Sequence, residues 1–272
     1  MEPVVVSGDR DEDGTRPPAG TREGSPVFAG VAEVCETAVR WCGADGAAAA
    51  MFTKELGVRE LVYATDPVAH RIDDLQFTLG EGPCLDAYLL STPQLVDDVA
   101  EADARVHWPA FIAEVAEAGV AAVFAFPIED DGRPLGVLEL YRTTAGPLSA
   151  AEFARATACA DAAARTIVDN WSRYLDESDS SSPADAMAEE MSAADQSGEF
   201  SRSRIYTASG MLAVQLVVLP DEALDRMRAY AFRSGRPIGR VADDIIARRL
   251  TGADLDDPDQ GAHDHENDGG PR

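Results

Sequence analysis

Apolar positions recur along this chain with two periods, and the change of period divides it. Between residues 26 and 175, short alternating runs lie among helical stripes. "AAAAMFT" and "ELVYATD" read as strands, "PQLVDDV" as a shorter one, and "AAVFAFPIEDDGRPLGVLELYR" as two half-buried strands around a DDGRP turn. Helical spacing predicts a helix around 28–43, one or two short helices before 91, a helix in "HWPAFIAEVAEAG" and a long helix ending near Tyr174. Ser149 and Glu152 at the start of that last helix have the spacing of a capping box. Strands bracketed by helices predict an α+β unit, an antiparallel sheet with helices packed on it.

From 202 to 250 only the helical period remains. Three segments follow, 202 to about 218, 220–234 and 237–250, with Pro220 and Pro237 at first turns and Gly235 as a stop. Connections this short predict a compact three-helix bundle. Leu224, Met227 and Ala231 share an inner face, as do Ile238, Val241, Ala242 and Ile245, whereas Arg226, Arg233 and Arg240 point away. In the first helix Ile205, Ser209, Leu212 and Leu216 form the inner stripe, and Gly210 falls on the opposite side. A mid-helix glycine costs about 1 kcal/mol relative to alanine. Its outward place predicts a close approach on an outer face, by a nucleic acid or by a second helix.

Charge sharpens this division. The 272 residues carry a formal charge of −26, which argues against nucleic acid as a partner of the chain as a whole. Residues 202–250, however, hold nine arginines against five acids, a balance of +4, leaving 14 basic against 44 acidic groups, or −30, elsewhere. Residues 176–201 have eight acids and no base, and read as an extended Ser- and acid-rich linker. Residues 1–25 and the acidic tail 251–272 lack an apolar period and read as disordered.

Candidate chemistry is sparse. Cys35, Cys42, Cys84 and Cys159 show no CxxC pair and no histidines at ligand spacing, so no metal site is expected, and the thiols read as reduced. His70 and His107 stand alone in sequence, and "HDHE" at 263–266 is a weak metal-like cluster in the tail. Neither a long apolar run nor a signal peptide is recognisable, which predicts a cytoplasmic protein with no membrane partner. Cys84 lies at the start of a short predicted helix, where the dipole would lower its pKa and make it redox-responsive; the alternative is a small residue packed under a turn.

Two stretches carry family resemblances. "RIYTASGMLAVQL" followed by "EALDRMRAYAFRSGRPIGRVADDIIARRL" resembles an ANTAR domain over about 50 residues. "LGEGPCLDAYLLSTPQLVDDV" resembles the GAF domains of bacterial GAF-ANTAR proteins. The resemblance implies a GAF sensor over 26–175, the linker 176–201 and an ANTAR unit over 202–250. It implies a transcription antitermination regulator that binds paired hairpins in nascent transcripts as a homodimer, with an unidentified small molecule as a conceivable GAF ligand and no cofactor assigned. On that reading Ala208 and Gly210 form a small-residue RNA-contacting patch beside Arg204, with Arg226, Arg233, Arg236 and Arg240 facing phosphates. Linker and tail would compete with RNA for this arginine face. Alternatives are a DNA- or protein-binding regulator of the same architecture and a redox sensor or enzyme built on Cys84; no enzymatic activity is expected, since general base and resolving cysteine are not evident.

Overall fold

A computed structural model describes residues 25–53, 58–177 and 202–256. The predicted disordered lead up to 24, the linker beyond Glu177 and the "HDHE" cluster lie outside the described residues.

The elements in chain order are α1 (Val31–Cys42), β1 (Gly46–Thr53), β2 (Val58–Ala64), α2 (Pro67–Leu79), α3 (Pro83–Leu90), β3 (Gln94–Val96), α4 (Ala102–His107), α5 (Pro109–Glu117), β4 (Ala122–Asp130), β5 (Arg133–Arg142) and α6 (Ala150–Glu177). The strands form one antiparallel sheet in the order β2-β1-β5-β4-β3. Asp131 and Gly132 join β4 to β5 with φ of 47° and 72°. Both lie in the left-handed region that a two-residue type I′ hairpin requires. The predicted capping box closes: Ser149 N–H donates to Glu152 Oε2 at 2.7 Å, and Glu152 N–H to Ser149 Oγ at 3.3 Å.

Strand alternation sends Ala47, Ala49, Phe124, Phe126, Leu138 and Leu140 to one side, where α1 and α6 cover them. Ala48, Leu61, Val123 and Tyr141 face the other side, against α2 and α5. The helix α4 has no predicted counterpart; it lacks buried residues, so no apolar stripe marks it in the sequence.

The C-terminal unit comprises α7 (Arg202–Leu216), α8 (Pro220–Ser234), α9 (Ile238–Ile246) and α10 (Gly252–Asp256). The inner faces read from the sequence are the buried ones: Leu224, Met227, Ala231, Ile238, Val241, Ala242 and Ile245 join Ile205 and Leu212 in one core. Two expectations are corrected. The bundle has a fourth, short helix where a coreless tail was expected, and Leu255 within it is 2% exposed. A Cβ on Gly252 would lie 2.5 Å from Leu216 Cδ2, so glycine lets α10 reach α7. In addition Phe77 of α2 is part of the bundle's own core, which seats the bundle directly on the sheet-containing unit.

Candidate functional site

Three elements converge on a buried polar cluster beneath the α2 side of the sheet. β2 turns Arg59 and Leu61 inward together, β5 pairs Glu139 with Ala48 on that same side, and α3 begins by placing Cys84 above them. Gln76 Nε2 donates to both Glu139 carboxylate oxygens, at 2.9 and 2.8 Å, while Cys84 N–H donates to Gln76 Oε1 at 2.8 Å. The loop passes this close because Gly82 sits at φ 135°; a Cβ there would lie 2.5 Å from Gln76 Cγ. Arg59 Nη2 donates to Asp73 Oδ1 and, at 3.3 Å, to Cys84 Sγ.

Burial governs the protonation of these groups. It pushes the Glu139 carboxyl up to about 7, against the opposing pull of Arg59 and the Gln76 hydrogen bonds. For Arg59, burial disfavours the charge, but Asp73 and its neighbours outweigh it and the pKa rises. The Cys84 thiol is likewise driven up by burial, to about 12, although Arg59 draws it the other way. Of the two readings of Cys84, the burial accords with a small residue packed under the turn, and desolvation opposes the thiolate that the helix end would favour.

The cluster continues into the bundle. Arg202 Nη2 donates to Asp73 Oδ2, and to Asp74 Oδ1 at 3.0 Å, so the Asp73 carboxylate bridges two buried arginines. Arg202 Cζ lies 4.3 Å from the centre of the Phe77 ring and Arg228 Cζ 5.6 Å from it. Tyr206 meets the same ring edge-on at 5.8 Å. Arg228 Nε donates to the Phe77 carbonyl at 3.0 Å, and the Tyr206 hydroxyl accepts from Arg59 N–H at 2.7 Å and donates to Arg59 C=O at 3.2 Å. Burial opposes the charge on Asp74, yet the His70 hydrogen bond and Arg202 hold its carboxyl below the ordinary value.

The residues predicted to contact RNA are only partly brought together. Gly210 is where the sequence placed it, with no atom within 4 Å of the position a Cβ would take. Ala208 is not beside it on the surface: it is 0% exposed, inside the bundle core. The reason is that α7 is covered by α8, α9, α10 and α2 together, so its buried arc is wider than a single stripe. Arg204 pairs with Asp243 at 2.6 Å, one turn along α9 from the exposed Arg240. Arg226 pairs with Glu222 at 2.8 Å, Arg233 donates to the Leu255 carbonyl at 2.7 Å, and Arg236 pairs with Asp244. Most of the predicted phosphate face is therefore engaged within the bundle.

Arg59, Asp73, Gln76, Phe77, Glu139, Arg202, Tyr206 and Arg228 were not singled out from the sequence as site residues. Two had a legible signal: Arg59 and Glu139 are charged residues at inward positions of largely apolar strands, "VRELVYA" and "LGVLELY". For the helical residues no such signal exists, because periodicity marks a buried face without naming what covers it. Among the described residues, no group of three or more potential metal ligands is brought together, and no helix is long and apolar enough to cross a membrane.

A family profile described as GAF domain matches residues 31–168. Solved structures similar to the chain include the GAF domain of a phosphoenolpyruvate-protein phosphotransferase from Coxiella burnetii, at 20% identity over 54% of this chain and 89% of that one, with a TM-score of 0.42. A domain assigned to a two-component sensor histidine kinase protein from Sinorhizobium meliloti 1021 is 18% identical over 53% of this chain and 91% of its own, with a TM-score of 0.43. Free methionine-R-sulfoxide reductase from Neisseria meningitidis, solved with its substrate, is 15% identical over 54% and 81%, with a TM-score of 0.41. No curated protein matches the chain.

Proposed function

This chain belongs to the GAF domain family, a family of signal-sensing or dimerisation modules, and we propose that it is a cytoplasmic regulator whose C-terminal bundle is an ANTAR-type unit that binds hairpin RNA in nascent transcripts and favours antitermination. The proposal assigns the chain no reaction: Cys84 is buried and desolvation disfavours its thiolate, which weighs against the redox alternative. The GAF unit supplies the signal, and two copies act together.

The observation that carries the reading is Gly210, a mid-helix glycine with open space in front of it, on a helix whose other exposed flank carries Arg204, paired with Asp243 one turn from the exposed Arg240. Unpaired loop bases are read by close approach, which a side-chain-free patch permits. The neighbouring ion pairs are exposed or half-exposed, so a phosphate can exchange for Asp243 at little cost. A second reading is favoured by Val214, 80% exposed four residues beyond Gly210: the same patch would accept a helix from a second copy. Titrating the full chain with a labelled hairpin RNA, with duplex DNA as competitor, tests the first. Saturable binding that duplex DNA fails to displace supports it; indifference to every hairpin, with self-association lost on replacing Gly210 by leucine, supports the second.

A further inference from the structure

We propose that Arg202, Tyr206 and Arg228 form a second RNA-contacting face on the bundle, and that α2 masks it by presenting the chemistry of a nucleotide: the Phe77 ring in place of a base, and the Asp73 and Asp74 carboxylates in place of a phosphate. This rests on the RNA-binding reading above and adds its regulation.

The residues that meet α2 are those expected of a single-strand binder. Flipped-out bases stack on tyrosine and on guanidinium planes, and arginine forks match carboxylate and phosphate oxygens alike. Phe77 lies within 4.3 Å of one guanidinium and 5.6 Å of a second, with a tyrosine at its edge, the surroundings a stacked base would have. Both carboxylates are met by Nη2, so Arg202 still has a buried Nη1 without an acceptor, which a phosphate accepting from both ends of the guanidinium fork would satisfy.

A surface built only to hold two units together would be apolar, since a buried ion pair brings little net stability over a hydrophobic pair of the same volume. This contact instead uses two arginines, a tyrosine and two aspartates around one aromatic ring. Leu212, Met227, Val241 and Ile245 give the bundle an interior of its own, so withdrawing Phe77 leaves a core behind.

The test is equilibrium binding of a labelled hairpin RNA with an unpaired loop to the full chain, beside hydrogen exchange of α2, α7 and α8. Asp73→Asn, Asp74→Asn and the double variant alter the mask; Arg202→Gln and Arg228→Gln alter the face. If the masked state holds about nine molecules in ten, opening it tightens apparent affinity about tenfold. Mask variants are expected to speed exchange in α2 and tighten binding, whereas face variants speed exchange and weaken binding, a difference of sign that a purely structural contact would not produce. Should Asp73→Asn fail to fold, Asp74→Asn, at a part-exposed position, decides. Tightening by Arg228→Gln as by Asp74→Asn overturns the second face. Docking that survives the double variant, or wild-type affinity once α2 has loosened, overturns the mask and leaves RNA binding standing. No hairpin bound by any loosened variant overturns RNA binding itself, and the mask with it.

Discussion

Asp73 of α2 and Arg202 of α7, 129 positions apart in sequence, form an ion pair in which the aspartate is 1% and the arginine 8% exposed. Because Arg59 shares the carboxylate, removing Asp73 takes the buried counter-charge from two guanidinium groups and leaves Arg202 only the part-exposed Asp74, whereas removing Arg202 leaves Asp73 still paired with Arg59. Breaking a buried pair from one side costs about 3–5 kcal/mol. Asp73→Asn is therefore expected near the top of that range and Arg202→Met below it. Urea denaturation of the full chain checks the order, and equal losses contradict it.

Glu139 adds a pH dependence of definite sign. Its folded pKa, about 7, exceeds the ordinary 4.5, so the folded protein holds the proton more tightly. The contribution is complete below about 4.5 and fades as pH rises through 7. Wild type should lose stability against Glu139→Gln across that window, by roughly 3 kcal/mol as an upper bound. Thermal unfolding of both proteins from pH 4.5 to 8 measures it; parallel profiles would mean that Glu139 stays ionised throughout.

Gly210 offers a separation of fold from function. With no neighbour within 4 Å, an added side chain meets open space, and Gly210→Ala should stabilise the helix by about 0.5–1 kcal/mol. Gly210→Trp should leave helix content intact while weakening hairpin affinity. Circular dichroism paired with RNA titration reports both; an unfolded Gly210→Ala variant would show that the glycine is architectural.

Gly82 and Gly119 both hold positive φ, 135° and 80°, yet differ in surroundings. A Cβ at Gly82 would strike Gln76, while at Gly119 it meets nothing within 4 Å. Gly119→Ala should cost only the backbone strain, about 1–2 kcal/mol, and Gly82→Ala distinctly more because it also displaces the partner of Glu139. Comparison of their denaturation midpoints decides this, and equal midpoints would contradict the packing of Gln76 under the loop.

What could be read from the sequence was what local rules control. The β4–β5 hairpin, the Ser149–Glu152 box and the inner faces of α8 and α9 follow from turn chemistry, capping and period, and each is present. Ala208 lies in the core and not on the surface because four other helices cover α7, which buries more of it than the single apolar stripe in its sequence indicates. The α2 contact was illegible for a related reason: Arg202 and Arg228 look like solvated basic residues until a partner 129 or 151 positions away comes against them. Charge segregation was legible, but most of the basic surface it implied proved to be engaged by carboxylates and carbonyls of the same bundle.

The central claim, that the bundle is an RNA-binding unit held in check by α2, is met most directly by titrating a labelled hairpin RNA against wild type and Asp74→Asn at several salt concentrations. Saturable binding by both is expected, tighter for Asp74→Asn, and weakening with salt as phosphate contacts require. A hairpin ignored by both proteins at low salt, with α2 shown by hydrogen exchange to have loosened in Asp74→Asn, would contradict it.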